Sequence, residues 1–175
     1  MIYEFHLELD GDPDPHLDAL FNAELDDGTF GTHVDGTGDA DFHRDAPSFW
    51  DAVVSAIDAI ESSTPLHVTS VDADQLLTGA DVAEELGVSR QHLTRIAKSD
   101  GFPAPVQRIG PRVVLYSRNA VLAWAWTAGR LATEPATPTA RELDALGSLN
   151  AALAWRAGRE RLDRRSRAYV ERIAA

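Results

Sequence analysis

A short stretch in the middle of the chain carries signals for both ends of a helix, and it constrains the fold more than any other part of the sequence. Thr78 is followed three residues later by Asp81. This spacing predicts a capping box, in which each side chain accepts a hydrogen bond from the backbone N–H of the other residue. Gly87 predicts the end of the helix, because glycine readily takes the positive φ found there. The sequence therefore predicts a helix over about residues 79–86.

A second helix is predicted directly after this turn. Ser89 suits the N-cap of a helix that runs to about Lys98. Two helices joined by a turn of three or four residues that contains a glycine form the helix-turn-helix arrangement. The packing pattern agrees, because a small residue, Ala83, lies where the two helices must approach closely and apolar residues surround it. These apolar residues are Val82, Leu86, Val88, Leu93 and Ile96.

The other side of the second helix is polar and basic. Its side chains can bind base edges or phosphates, and none of them is acidic. These residues are Ser89, Arg90, Gln91, Thr94, Arg95 and Lys98. We expect Arg90, Gln91 and Arg95 to contact bases, and Ser89 and Lys98 to contact phosphates. The alternative is an ordinary amphipathic helix pair whose basic side chains are only solvated.

Two extended runs, residues 106–109 and 113–116, follow the helix pair and flank a Gly-Pro turn. They predict a two-stranded hairpin, or wing. Arg108 and Arg112 lie near its tip, where we expect them to bind phosphates. Ser117 then predicts the N-cap of a further helix, which contains two tryptophans.

The succession over about residues 76–130 resembles the winged helix-turn-helix domains of MerR-like proteins, in particular the small excisionase and AlpA-type phage regulators. Those domains share the helix pair, an FP.P turn (residues 102–105 here), a basic hairpin with an aromatic exit, and a helix that ends in tryptophan. The resemblance implies that the second helix enters the major groove of DNA and that the wing touches the backbone or the minor groove. Asp100 departs from this pattern, because it puts an acid close to the expected DNA surface.

Charge is distributed very unevenly along the chain. Residues 1–76 hold 18 acidic residues and one basic residue, Arg44, whereas residues 77–130 carry a net charge of +3 and residues 131–175 one of +2. The overall net charge of −12 would disfavour DNA binding if it were uniform, because binding gains from neutralised phosphates. We therefore expect the acidic part to form a separate domain outside the DNA-binding surface.

The pattern of residues 1–74 indicates that this acidic domain is of the α+β class. Their apolar residues alternate with polar ones in some runs and recur at helical spacing in others. Strands are predicted at residues 2–9, 29–34, 41–44 and 66–71, and helices at residues 15–25 and from an N-cap at Ser48. The order βαββαβ is that of the ferredoxin-like fold. Such a domain could dimerise, bind a small ligand or a protein partner, or imitate nucleic acid and mask the basic surface.

The end of the chain predicts a linker at residues 131–140, rich in Pro, Thr and Ala, and a helical tail at residues 141–175. Gly147 and Gly158 interrupt the apolar spacing of the tail, and its later half is rich in arginine. The tail is interpreted either as a dimerisation helix or as a basic arm that contacts phosphates or the acidic domain.

Other functional classes find little support. The chain has no cysteine, and its six histidines form neither an i, i+4 pair nor an H-x-H cluster, so we expect no metal site. No catalytic motif appears, and we expect no enzyme activity and no cofactor. No apolar run approaches the roughly 18 residues of a membrane span, which favours a cytoplasmic protein without membrane contact.

The sequence thus predicts a sequence-specific protein that binds double-stranded DNA, most simply a transcriptional regulator, and a homo-oligomer. Within the same class, an excisionase-type factor of a phage or mobile element is the alternative. An antitoxin or inhibitor whose acidic domain binds a protein is the alternative from a different class.

Overall fold

The structure, a computed structural model, describes residues 1–99, 101–110 and 113–174. Over these residues the chain is α+β, with seven α-helices and two antiparallel sheets, which confirms the predicted class. The chain divides into two compact units. Met1–Asp72 and Thr139–Ala175 form the first unit, and Ala73–Pro138 form the second. The second unit is therefore inserted into the sequence of the first.

The first unit contains a four-stranded antiparallel sheet and follows the predicted order βαββαβ before the insertion. Its sheet order is β2-β3-β1-β4. The strands are β1 (Ile2–Leu9), β2 (Gly28–Thr32), β3 (Gly38–Asp45) and β4 (Val68–Asp72), and the helices are α1 (Leu17–Asn22) and α2 (Phe49–Ser63).

One face of this sheet forms the core of the first unit, and the other is polar. Tyr3, Phe5 and Leu7 alternate along β1 and are buried, together with Phe42 of β3. They pack with Phe49 at the start of α2; the ring centroids of Phe5 and Phe49 are 6.1 Å apart. Ser48 caps α2 as predicted, since its hydroxyl accepts a hydrogen bond from the Asp51 N–H.

Helix α1 differs from its prediction. The sequence predicts a helix over residues 15–25 with a buried stripe that includes Leu17 and Phe21, but α1 has only six residues, and the side chain of Phe21 is 71% exposed. A 3₁₀ turn, Asp14–His16, precedes α1. Leu17, Leu20 and Phe21 all lie in α1 after this turn. Successive residues of an α-helix point about 100° apart, so this short helix buries Leu20 and turns Phe21 outward.

The C-terminal segment forms α6 (Ala140–Gly158), a 3₁₀ turn (Arg159–Arg161) and α7 (Arg164–Ala174). Helix α6 packs on the edge strand β4 and on α2. Its side chains hydrogen-bond to both elements: Asn150 to the backbone of Val71, and Arg156 to Glu61. The segment predicted as a tail is therefore, through α6, part of the first compact unit.

The second unit combines short helices with a three-stranded sheet. Its sheet order is β5-β7-β6. Its elements are β5 (Leu76–Thr78), α3 (Gly79–Glu85), α4 (Arg90–Ile96), β6 (Gln107–Ile109), β7 (Val113–Ser117) and α5 (Arg118–Thr127). The sequence pattern does not predict β5, because three residues are too few to show an alternation. In the part of the chain that the structure describes, no helix is long and apolar enough to cross a membrane.

Candidate nucleic-acid interface

The first helix of the candidate interface, α3, begins at the predicted capping box. The hydroxyl of Thr78 accepts hydrogen bonds from the N–H groups of Ala80 and Asp81, at 3.2 and 3.4 Å. The Asp81 carboxylate in turn accepts one from the Thr78 N–H at 2.8 Å. Hydrogen bonds that this carboxylate accepts from the hydroxyl and the backbone N–H of Thr78 hold the pKa of Asp81 below its usual value. The start of α3 is thus fixed by its own sequence.

The turn between α3 and α4 is closed by backbone hydrogen bonds around Gly87. Gly87 has a φ of +61° and donates to the Glu84 carbonyl at 2.9 Å. Val88 donates to the Ala83 carbonyl at 2.8 Å, which completes a Schellman motif. Ser89 then caps α4, since its hydroxyl accepts from the His92 N–H at 3.2 Å. Gly87 and Ser89 therefore occupy their predicted positions.

Helices α3 and α4 pack together around Ala83, the small residue at which the sequence predicted their close approach. Val82 and Ala83 of α3 and Leu93 of α4 are buried in one cluster with Leu77 and Val121. Ile96 is also buried, and Leu86 and Val88 are partly buried against the cluster. Because α3, α4 and α5 share this core, the exposed side of α4 is carried by a packed framework and not by a mobile loop.

The six predicted residues of α4 and its flanks are all exposed to solvent. They are Ser89, Arg90, Gln91, Thr94, Arg95 and Lys98. The Thr94 hydroxyl donates to the Arg90 carbonyl at 3.0 Å, so toward a ligand it is left as an acceptor. The three cations can neutralise phosphates or donate to guanine, and Gln91 can both donate and accept.

Helix α4 is shorter than predicted. It ends at Ile96, and Lys98 lies in the turn beyond it. The reason is local, because Ser99 donates to the Ile96 carbonyl both from its backbone N–H, at 2.8 Å, and from its hydroxyl, at 2.6 Å. These bonds satisfy the carbonyl that a longer helix would use. Lys98 therefore extends from the end of α4.

Strands β6 and β7 form the predicted hairpin. Arg108 pairs with Val114 across the two strands, and its side chain is exposed. Gly110 at the turn has a φ of +61°. Arg112, the other predicted phosphate contact, lies outside the described residues, as does Asp100. Of the two arginines that we expected to bind phosphates from the hairpin, Arg108 is therefore the one that lies within the described residues.

An aromatic cluster supports the hairpin from the side of α5. Phe102 lies 4.9 Å from Trp124 and 5.7 Å from Tyr116, as ring centroid distances, in edge-to-face geometry. Ser117 caps α5 as predicted, with its hydroxyl accepting from the Ala120 N–H at 3.0 Å. Trp126, in contrast, is 40% exposed and lies outside this cluster, because two residues along a helix turn a side chain away from Trp124.

The outer side of α3 has the opposite charge. Asp81, Glu84 and Glu85 line a shallow surface cleft together with residues of β5. Glu85 is paired with Arg118, whose guanidinium lies 2.8 Å from the carboxylate. A phosphate backbone would be repelled by this surface, so the basic side of α4 and the hairpin are the parts of the second unit that suit nucleic acid.

Comparison with protein-family models, with curated proteins and with solved structures finds no match for the chain.

Proposed function

We propose that the chain is a sequence-specific DNA-binding protein, most simply a transcriptional regulator, whose second unit is a winged helix-turn-helix domain. The observation that carries the proposal is the exposed basic side of α4. Six side chains that suit bases and phosphates lie on or beside a short helix that is packed against α3 and capped at Ser89. A surface held in this way loses little conformational entropy when it binds.

The docking mode follows from the distribution of charge. Helix α4 would enter the major groove with Arg90, Gln91 and Arg95 toward the base edges, since an arginine can donate two hydrogen bonds to guanine. Ser89 and Lys98 would bind phosphates at either end of α4, and Arg108 would bind a phosphate from the hairpin. The carboxylates of the cleft beside α3 would repel the phosphate backbone.

We assign the first unit to the ferredoxin-like class within the same proposal. The sheet order β2-β3-β1-β4, the antiparallel pairing throughout and the βαββαβ succession support this assignment. The acidity of this unit keeps it from the DNA surface, which leaves it available for oligomerisation or for another ligand.

A homo-oligomer is part of the proposal. One module of this size buries only about 600–1,000 Å² of protein surface on DNA, which gives weak binding unless two copies act together. Two copies on one face of the duplex would require half-sites about one helical turn, or 10–10.5 base pairs, apart. Sedimentation of the full chain at micromolar concentration tests this directly; a clean monomer that selects a single unrepeated site would contradict it.

Selection from a random DNA pool with the full chain, at a fixed salt concentration, is the decisive experiment. We expect an enriched sequence that the wild-type protein shifts in a mobility assay. The double variant Arg90→Ala/Arg95→Ala should lose this preference, because both base-contacting cations are gone. Arg141→Ala is the matched control, since Arg141 is an exposed arginine of the first unit.

Two outcomes would contradict the proposal. If the wild-type chain enriches no sequence and binds no duplex at low salt, the protein does not act on DNA. If the double variant shifts the selected duplex as the wild type does, α4 does not contact the bases.

A further inference from the structure

A group of metal-binding side chain types converges on the polar face of the first unit's sheet. Strands β1 and β3 pair so that His6 lies opposite Asp41. The His6 Nδ1 is 2.9 Å from the Asp41 Oδ1 and 3.9 Å from the Asp39 Oδ2. One ligand atom from each of these three residues lies within 4.8 Å of the others. A tetrahedral zinc ion, with bonds of about 2.0–2.1 Å, separates its ligand atoms by roughly 3.3 Å, so small side-chain rotations reach that geometry.

Two further residues complete the surroundings of these three. The Nε2 of His6 lies 3.3 Å from the Glu8 Oε1. If Nε2 carries the proton and donates it to Glu8, the lone pair of Nδ1 points toward the two aspartates, which is the tautomer that a metal ion needs. The Nε2 of His33 lies 3.5 Å from the other oxygen of Asp39. The imidazole of His33 thus lies on the outer side of the same carboxylate.

The neighbouring strand leaves room for this arrangement. Gly31 of β2 pairs with Asp39, and a Cβ atom at that position would lie 2.5 Å from the Asp39 Oδ1. Any other residue at position 31 would therefore displace the Asp39 carboxylate from its place near His6 and His33. The glycine at position 31 therefore leaves the space that the Asp39 carboxylate occupies.

The side-chain types in this group indicate which kind of metal ion it would bind. Glu8 and Asp39 lie directly opposite each other, and Asp41 adds a third carboxylate on the same face. Like charges directly opposite each other are destabilising. A cation bound between these carboxylates would offset that repulsion. Imidazole nitrogens together with carboxylate oxygens are ligands of Zn²⁺ and of related divalent transition-metal ions, whereas oxygen ligands alone would suit calcium or magnesium.

We propose that His6, Asp39 and Asp41 bind a divalent transition-metal ion, for which Zn²⁺ is the probe. Glu8 orients His6, and His33 supports Asp39 from the outer side. From the sequence we expected no metal site, because no two histidines are close in sequence at a ligand spacing. The sheet register brings the residues together instead. The proposal concerns the first unit and does not depend on DNA binding.

The test is calorimetric titration of the full chain with Zn²⁺, after treatment with a chelator. We expect one ion per chain. Asp41→Asn and His6→Gln should each weaken binding at least about tenfold, and Glu8→Gln should weaken it by about ten- to a hundredfold at most, as loss of an outer partner does. His43→Gln is the matched control, because His43 lies on the same face of β3, two residues from Asp41, and its Nδ1 is 3.7 Å from Glu4. It should bind Zn²⁺ as the wild type does.

Nuclear magnetic resonance of the imidazole nitrogens provides a site-specific measurement. Zn²⁺ should shift the Nδ1 resonance of His6 strongly and leave His43 unchanged. Circular dichroism confirms that each variant is folded, and Asp41→Asn, at a well-exposed position, remains informative if His6→Gln is not. The proposal is overturned if the wild-type chain binds no Zn²⁺ at micromolar concentration, or if His43→Gln weakens binding as much as Asp41→Asn does.

Discussion

The side-chain amide of Asn150 makes the two hydrogen bonds with Val71 that a neighbouring β-strand would make. Its Oδ1 accepts from the Val71 N–H and its Nδ2 donates to the Val71 carbonyl, both at 2.8 Å. Strand β4 is an edge strand, and its unpaired backbone groups would otherwise face solvent or another chain. Arg156 continues the pattern by donating to the Val68 carbonyl at 2.7 Å. Helix α6 thus closes this edge of the sheet with side chains.

Removing the amide at position 150 should therefore destabilise the first unit. We expect Asn150→Leu to lower the free energy of unfolding by about 1–3 kcal/mol, because it leaves partly buried backbone groups of Val71 without partners. Urea unfolding measures the loss, and amide hydrogen exchange should be faster at Val71. Ser148→Ala, an exposed change on the same helix, should stay within about 0.5 kcal/mol of the wild type. Equal stabilities of the two variants would contradict the role of Asn150.

The Arg156–Glu61 ion pair should make the first unit sensitive to acid. Burial raises the pKa of Glu61, but hydrogen bonds from Arg156 and from the Val68 N–H outweigh this effect and hold the pKa below its usual value. A group whose pKa is lowered in the folded state stabilises it above the unfolded pKa, and this contribution disappears as the pH falls through the folded pKa.

At neutral pH we expect Glu61→Gln to lower the free energy of unfolding by about 1 kcal/mol, since the pair is partly exposed and screened. The difference from the wild type should shrink below about pH 4.3, the usual pKa of glutamate. Urea unfolding over a pH series measures it, with Asp58→Asn on the exposed side of α2 as the control. A difference that is constant from neutral to acidic pH would show that charge plays no part.

Two glycines should respond to alanine in opposite ways. Gly87 has a φ of +61°, and no neighbour lies near the position of an added Cβ, so Gly87→Ala costs only backbone strain, about 1–2 kcal/mol. Gly147 lies inside α6 with equally open surroundings, so Gly147→Ala should stabilise the protein by about 0.5–1 kcal/mol. Urea unfolding measures both changes. If Gly87→Ala is neutral, the turn between α3 and α4 does not need a positive φ.

On the selected DNA site, Arg95 and Arg108 should behave differently. Arg95→Ala should cost about 1–3 kcal/mol of binding free energy and relax the sequence preference, because a base contact is lost. Arg108→Ala should weaken binding to all sequences alike and reduce the slope of affinity against salt by about one unit, because a phosphate contact is lost. Titrations against matched and scrambled duplexes over a salt series separate the two. If the two variants lose sequence preference and salt dependence to the same extent, the assignment of base contacts to α4 and phosphate contacts to the hairpin is wrong.

Much of the second unit could be predicted because its signals are local. Thr78 and Asp81 are three residues apart, and Gly87 and Ser89 act within one turn of the helices that they end and begin. Such signals depend on hydrogen bonds between neighbours in sequence and can be recognised without the fold. The length of α4 was less predictable, since the Ser99 side chain competes for the carbonyl of Ile96.

The features that sequence reasoning missed depend on distant residues. His6 and Asp41 are 35 positions apart, and only the register of β1 on β3 brings them together. The packing of α6 on β4 joins Val71 and Asn150, 79 positions apart, and the short apolar pattern of α6 does not say which surface it covers. Phe21 was expected in the core because it recurs with Leu17 and Leu20 at helical spacing, but in α1 it is Leu20 that is buried.

The insertion of the second unit between β4 and α6 has a consequence for synthesis of the chain. The residue that completes the edge of β4 is added 79 residues after the strand itself. At about 5–20 residues per second, a ribosome needs roughly 4–16 seconds to cover that distance. During this interval the nascent first unit carries an uncovered strand edge, which can pair with another nascent chain. The full length of the inserted unit therefore sets how long each molecule is exposed to misassembly, and a slower stretch of translation within it would lengthen that exposure.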